Sequence, residues 1–446
     1  MITRYKSYPT YKDSKISWMG EIPSEWGTSK LKFQTNINKN NLAENTDPFY
    51  EIQYVDIGNV DSNGQIGELQ RYYFEQAPSR ARRIVRSGDT LISTVRTYLK
   101  AITSVKEAPS NLICSTGFVV LTPEKSIDSL YLSYLVRSDI YVDEIVSRSV
   151  GVSYPAINAS EIGNLECILP DLKTQEKIGK FLEKKSNDIK HLINGKQKLI
   201  GLLEAKRQSM ITEAITKGLN PNVKMKDSGV EWIGKIPEHW SVKQLNHITS
   251  RIGVGLATSV TEYYRETGIP IIRNLNIKEN YFDDSRMIYL EEGFSYKEKS
   301  KMVRENDVIL VHTGSNIGLA CVVPENYDLC HTFTTLIVTG EKDRVLPEYL
   351  SYHFNSHLGK YQVQILKEGM GKDNLNVGQF KFYKLTLPCI EEQREIVLYL
   401  NREITHIDII IRNLTEQIQK LKDYRQSLIY EAVTGKIDVR DFEVKA

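Results

Sequence analysis

Lys12-Asp13-Ser14-Lys15-Ile16-Ser17-Trp18-Met19-Gly20-Glu21-Ile22-Pro23-Ser24-Glu25-Trp26 returns later in the chain as Lys226-Asp227-Ser228-Gly229-Val230-Glu231-Trp232-Ile233-Gly234-Lys235-Ile236-Pro237-Glu238-His239-Trp240. The offset is 232 − 18 = 214, and all 4 tryptophans of the chain lie in these two segments. Self-similarity at this scale governs how everything else is read. Beyond the opening, Arg86 and Asp89 match Arg304 and Asp307, and Tyr131-Leu132-Ser133-Tyr134 matches Tyr349-Leu350-Ser351-Tyr352. Pro170 matches Pro388, and Arg207-Gln208-Ser209 matches Arg425-Gln426-Ser427, all at 304 − 86 = 218. A net insertion of 218 − 214 = 4 residues between Trp240 and Arg304 reconciles the two registers; loops absorb such insertions cheaply.

Each copy has two parts. The first is mixed: short apolar runs at 50–57, 90–95 and 118–122 end at turn residues such as Gly58-Asn59 and Pro123, with counterparts at 269–275, 308–312 and 335–339. These read as strands, each set followed by a short helix near 127–137 and 347–357. The second part is a long helix, expected over 174–217 and 392–434, opened after Pro170 or Pro388 and stopped at Gly218 or Gly435. Forty-odd residues at 1.5 Å each make a rod of about 65 Å.

The apolar seam of the first helix runs Ile178, Leu182, Ile189, Leu192, Leu199, Leu203, Met210. That of the second runs Ile396, Leu400, Ile407, Ile410, Leu414, Leu421, Leu428. Steps of three and four are the coiled-coil period. Lys185 and Glu403 hold the same seam position in opposite copies, which favours pairing of the two helices over separate packing of each on its own domain. The fold class expected is α+β: two mixed α/β domains separated by two long helices in an antiparallel coiled coil, with an internal pseudo-two-fold repeat. The boundaries expected are 1–170, 171–220, 221–388 and 389–446.

Composition excludes several classes. The chain has 446 residues, 41% hydrophobic and 26% charged, with a net charge of 58 − 56 = +2. No apolar run approaches the length of a membrane span, and residues 1–17 lack the apolar core of a signal peptide. The 5 cysteines (Cys114, Cys167, Cys321, Cys330, Cys389) form no C-x-x-C pair, so neither a disulfide framework nor a zinc ribbon is indicated, and a cytoplasmic location fits best. There is no G-x-x-x-x-G-K-[ST] loop; Gly253-Val254-Gly255 lacks the third glycine of G-x-G-x-x-G, and there is no Asn-Pro-Pro-aromatic motif. His353 and His357 are spaced i, i+4 but have no H-E-x-x-H context. The Glu-x-Lys triplets at 183–185 and 204–206 lie on a helix where i and i+2 point apart, so they read as solvated face.

One stretch is locally basic. Arg71, Arg80, Arg82, Arg83, Arg86, Arg96, Lys100 and Lys106 outweigh Glu75, Asp89 and Glu107, with Tyr72, Tyr73 and Tyr98 interleaved. Arginine suits phosphate forks and guanine edges, although an ordinary charged surface loop has the same composition. At matched places the copies diverge: Val95-Arg96-Thr97-Tyr98-Leu99-Lys100 stands against Thr313-Gly314-Ser315-Asn316-Ile317-Gly318. The loop from Gly151 through Tyr154 to Asn158 stands against the one from Gly369 through Lys372 and Asn374 to Asn376. A kept frame with changed loops is what two domains reading two sequences need; drift gives the same pattern.

The chain resembles the specificity (S) subunits of type I restriction–modification enzymes. The resemblance is carried by the Trp-x-Gly-x-Ile-Pro-x-x-Trp openings at 18–26 and 232–240 and the Pro-x-x-x-x-Gln-x-x-Ile entries at 170–178 and 388–396. The Arg-Gln-Ser-[Met/Leu]-Ile-x-Glu-Ala-[Ile/Val]-Thr helix ends at 207–216 and 425–434 complete it. It covers nearly the whole chain. It implies two target-recognition domains reading the halves of a split, asymmetric double-stranded DNA site, with the helices as spacers that set the gap. It implies a non-catalytic chain without cofactors of its own. S-adenosylmethionine, ATP and Mg would belong to partners, namely two modification (methyltransferase) subunits and the restriction (translocase/endonuclease) subunits. Position within the repeat nominates Arg80, Arg82, Arg83, Arg96, Tyr98, Lys100 and Tyr154 for one half-site. Arg273, His312, Ser315, Asn316, Lys372 and Asn374 are nominated for the other. The alternatives are a stand-alone methyltransferase or nuclease, and a coiled-coil adaptor that binds only proteins.

Overall fold

The structure is a computed structural model that describes residues 5–61, 63–368 and 374–442. These form two compact units: the described residues up to Lys196 together with those from Thr415 onward, and Gln197–Leu414.

In the first unit, strands Thr35–Ile37, Phe118–Pro123, Thr90–Ser93 and Ile102–Ser104 form an antiparallel sheet in that spatial order. A second, mixed sheet is ordered Gln70–Tyr73, Glu51–Val55, Leu112–Ser115, Ala81–Ile84, its middle pair parallel. Alternation along the shared strands joins the layers. Val119 and Leu121 point into a core with Ile22, Trp26, Tyr131 and Leu135. Phe118 and Val120 point the other way, against Val55, Leu91 and Leu112. Both faces are buried, so the sequence there is continuously apolar rather than alternating.

The second unit repeats the plan. Thr249–Val254, Thr335–Gly340, Val308–Val311 and Ala320–Val322 make the antiparallel sheet. Tyr264–Arg265, Ile288–Leu290, Ile269–Ile272 and His331–Thr332 make the mixed one, again with one parallel pair. Leu336 and Val338 face one core and Ile337 the other.

The repeated motifs turn out to be structural joints. Ser14 Oγ and Ser228 Oγ each accept from the backbone N–H two residues on, at 3.1 Å in both copies. Gly20 (φ +70°) and Gly234 (φ +73°) take the left-handed turn before the Ile-Pro strand. Gln175 reaches back to Pro170 O (2.8 Å) and accepts from Asp128 N (2.8 Å). Gln393 does the same with Pro388 O (3.0 Å) and Leu346 N (2.8 Å). Asp89 accepts from Arg86 N (2.7 Å) and the Thr122 hydroxyl (2.6 Å); Asp307 accepts from Arg304 N (2.8 Å) and the Thr339 hydroxyl (2.5 Å).

The long helices are Leu172–Lys217 and Ile390–Val433. Both stop at a left-handed glycine, Gly218 (φ +74°) and Gly435 (φ +71°). In the first unit the helices run antiparallel: Lys177 meets Arg440 O just past the second helix, and Lys196 meets Gln417 at 2.5 Å. In the second unit Arg207 pairs with Asp408 at 3.0 Å, and the Trp240 indole, beside Gly218, donates to Glu392 at 2.8 Å. Ile178, Leu182, Ile189 and Leu428 are buried in the first unit, and Ile396, Leu400 and Ile407 in the second. Leu421, Leu203 and Met210 are half-buried. Leu192 and Ile410 are exposed, at 55% and 44%, while Ile193 and Leu414 nearby are buried. Two further helices, Asp139–Ser147 and His357–Glu368, follow the ones expected from sequence, after breaks at Ser138 and Ser356.

Candidate nucleic-acid interface

In the first unit the strand Thr90–Ser93 runs out into a turn, Thr97–Leu99, bracketed by two left-handed residues. Arg96 has φ 50° and Lys100 φ 56°. Non-glycine residues in this region cost of order 1–3 kcal/mol and persist only where neighbours hold them. Here Arg96 N donates to Pro155 O (2.8 Å), Val95 bridges Ala156, and the Thr97 hydroxyl meets the Ser149 hydroxyl at 2.8 Å. The two divergent loops are thus clamped together.

The clamp places the Arg96 guanidinium 4.7 Å from the centroid of the Tyr154 ring. Both side chains are exposed. They wall a cleft of about 780 Å³, whose other walls include Asp56, Gly58, Arg80 and Leu99. Tyr98 is exposed on the same turn. Lys100 points elsewhere and its charge is matched by Asp139 at 3.0 Å. Arg82 lies over the Phe74 ring at 4.7 Å and donates to Ala81 O (3.1 Å). Arg83 is half-buried; burial lowers its pKa, and its Nε has no partner among the described residues. Of the nominated basic residues, Arg80 and Arg96 therefore share the cleft with Tyr154, while Arg82, Arg83 and Lys100 do not line it.

The second unit carries the same clamp. Thr313 bridges Asn374, as Val95 bridges Ala156, and Leu375 N donates to His312 O (3.0 Å). Ser315 and Asn316 are exposed on the loop between Gly314 (φ +85°) and Gly318 (φ +95°). The Asn274 side chain donates to Thr313 O (3.4 Å) and accepts from Thr334 (3.4 Å). Arg273 is half-buried, with Nη2 on Arg286 O (2.5 Å). Burial lowers the pKa of His312, which favours the neutral imidazole. Lys372 lies outside the described residues. His312, Asn316 and Asn374 thus belong to one loop cluster, with Arg273 and Asn274 on the adjoining turn.

Three residues near these loops escape sequence reading: Asp56, Asn274 and Thr334. A signal was available for the first. Asn59 Oδ1 accepts from Asp56 N (2.9 Å) and Asn276 Oδ1 from Arg273 N (3.0 Å). The offset there is 276 − 59 = 217. The turn is conserved between copies, yet the residue at its head changes from carboxylate to guanidinium. Among the described residues no cluster of His, Cys, Asp or Glu is placed to hold a metal ion, and no helix is long and apolar enough to cross a membrane.

Comparison with known proteins bears on these loops and their scaffold. The family described as type I restriction modification DNA specificity domain matches residues 23–200 and 237–420. The EcoKI specificity subunit of Escherichia coli (strain K12) is 22% identical over 334 residues, 73% of this chain and 69% of that subunit. The StySPI specificity subunit of Salmonella potsdam is 20% identical over 434 residues, 94% of this chain and 90% of that subunit. Among solved structures, a chain from a study of complex assembly and conformational transition of the type I R-M system is similar with TM-score 0.75 and 22% identity. It covers 93% of this chain and 99% of its own. The HsdS subunit from Thermoanaerobacter tengcongensis gives TM-score 0.53 at 22% identity, covering 93% of this chain and 98% of its own. The structural likenesses speak for the fold. The two family matches fall one in each copy of the repeat and together span well over half of the chain, which therefore belongs to the type I restriction–modification DNA specificity family.

Proposed function

We propose that this chain directs a type I restriction–modification assembly to a bipartite, asymmetric double-stranded DNA site. The first domain reads one half, the second reads the other, and the two long helices set the gap. The chain itself carries out no chemistry. Methyl transfer from S-adenosylmethionine belongs to two modification subunits, and ATP- and Mg-dependent translocation and cleavage to restriction subunits.

The observation that carries this reading is one clamp bearing two chemistries. Val95–Ala156 and Thr313–Asn374 are the same bridge at matched positions. The first presents Arg96 stacked on Tyr154 beside Asp56. The second presents Ser315, Asn316 and Asn374, all exposed, on a loop cluster that Asn274 bonds through Thr313 O. Arginine and asparagine side chains pair bidentately with guanine and adenine edges, and carboxylates accept from the cytosine amino group. Unlike donor sets on a like frame support two unlike half-sites.

The test is a reconstituted complex with modification subunits whose methylated positions are mapped. Replacing residues 90–158 by the matched segment of a relative with another target should change one half-sequence and leave the other. Loss of DNA binding after that exchange would be uninformative, so a second exchange at 308–376 is made in parallel; if both exchanged complexes assemble and keep the original target, the reading fails.

A further inference from the structure

We infer that the first unit holds an oxyanion site, with the chemistry to take a phosphate group, where its helix Ser129–Arg137 meets the two long helices. A recess of about 230 Å³ there is lined by four cations: Lys106, Arg137, Lys190 and Arg425. Lys106 is paired with Glu183. Among the described residues no carboxylate pairs with the other three. Arg137 Nη2 donates to Asn63 O, and Arg425 Nη2 to Asn63 Oδ1 at 2.6 Å, so one neutral residue serves both guanidiniums. Asp61, the nearby carboxylate, is spent on its own loop, accepting from Asn63 N (2.9 Å), Gln65 N (2.7 Å) and the Asn63 amide (3.3 Å). Ser104, Ser133 and Ser186 add hydroxyls to the walls. The pKa of Arg137 is lowered, first by burial and also by the charge of Arg425, against the raising effect of Tyr134 and Asp61.

The repeat supplies an internal control. Arg425 corresponds to Arg207, since 425 − 218 = 207, and Arg207 has two carboxylates, Asp408 at 3.0 Å and Glu279 at 3.6 Å. Arg137 corresponds to Asn355, a buried amide that donates to Asn280 (2.8 Å) and Ala320 O (2.8 Å). The second unit therefore closes this junction with its own counter-charge and a neutral group. The first keeps two guanidiniums together; its carboxylate at the place of Glu279, Asp61, acts on Arg137 only through its field and forms no ion pair with either. Like charges gathered in a recess repel, and a counter-ion that joins them is bound the more favourably for it. Two planar forks plus hydroxyl donors match a tetrahedral oxyanion. Its source is either free phosphate or a phosphodiester of DNA; the second rests on the proposed function, the first does not.

The probe is inorganic phosphate, titrated against chloride at matched ionic strength while unfolding of the full chain is followed. Phosphate should raise Tm in a concentration-dependent way. That rise should be lost in Arg425→Gln and reduced in Lys190→Gln, and kept in Arg207→Gln. No difference between phosphate and chloride, or an undiminished rise in folded Arg425→Gln, overturns the site. The second arm measures duplex binding by the assembled complex against salt. A slope of log K on log salt smaller by about 1 in Arg425→Gln assigns the site to a DNA phosphate. An unchanged slope with the phosphate response lost in Arg425→Gln assigns it to the free anion. A chain that answers to phosphate, in a complex that binds no DNA sequence selectively, keeps this site and overturns the functional reading.

Discussion

Arg96 is held in left-handed backbone by Pro155 O and spread over Tyr154, with its guanidinium exposed. A stacked guanidinium loses less freedom on binding than a free one, and its edge still offers a bidentate fork to a guanine. Arg96→Ala is expected to weaken specific binding by about 1–3 kcal/mol and to relax one position of the first half-site only. Competition binding with single-base variants of the target measures both; unchanged affinity and unchanged preference would falsify the placement. Asp56 makes the opposite case. A carboxylate in a cleft that receives a polyanion costs affinity unless it accepts a hydrogen bond there, and base amino groups are the donors within reach of a groove-reading side chain. Asp56→Asn keeps an acceptor for Ile57 N, which Asp56 Oδ1 now holds at 2.8 Å. Its expected result is a changed base preference at one position of the first half-site, with the second half-site intact, read by methylation mapping.

Among the elements, the repeated ones were the legible ones, because a residue pair seen twice reports a constraint rather than an accident. The long helices, their proline-marked starts and the Gly218 and Gly435 stops follow directly from period and punctuation. The buried strands at Thr90–Ser93 and Val308–Val311 follow from apolar runs. What escaped was signalled by single residues or set by tertiary neighbours. The breaks at Ser138 and Ser356 that start new helices are marked in sequence by one serine each, a capping residue; Ser356 Oγ accepts from Gly359 N at 2.9 Å. Leu192 sits on period but faces outward, while Ile193, four residues after the buried Ile189, turns in. Leu182→Ala should therefore cost about 2–5 kcal/mol and Leu192→Ala under about 1 kcal/mol, by urea denaturation of the full chain. Equal costs would show that Leu192 is packed after all. The glycine at the second helix end is constrained twice over. Gly435 has φ +71°, and an added Cβ would stand 2.4 Å from Pro23 and 3.0 Å from Trp26. Gly435→Ala should lose more than about 1–2 kcal/mol, well beyond the cost of an open left-handed site such as Gly20, where nothing lies within 4 Å. Trp26 and Gly435 thus tie the opening motif to the helix end, and the same tie recurs between Trp240 and Gly218.

At the scale of the whole molecule, duplication separates two problems that a single domain would have to solve together. The joints formed by Gln175 and Gln393, and by Asp89 and Asp307, are repeated almost atom for atom, so geometry is inherited. The loops and the 56/273 turn are free to differ, so under the proposed function the target need not be a palindrome. Adjacent guanidiniums at Arg137 and Arg425, against built-in carboxylates at Arg207, show that asymmetry between the copies extends beneath the divergent loops into the helix junctions. If the long helices set the gap, as proposed, then their length is a variable independent of both half-sequences. Seven residues restore the coiled-coil register, whereas three or four would rotate the seam. Matched seven-residue insertions after Lys196 and Leu414 add about 10 Å of helix to each strand of the pair, which corresponds to roughly three base pairs of DNA at 3.4 Å each. The mapped target of that variant should keep both half-sequences and gain about three base pairs between them. Altered half-sequences with the original gap would show that the helices do not measure distance, and the spacing would have to be sought in the recognition domains or the modification subunits.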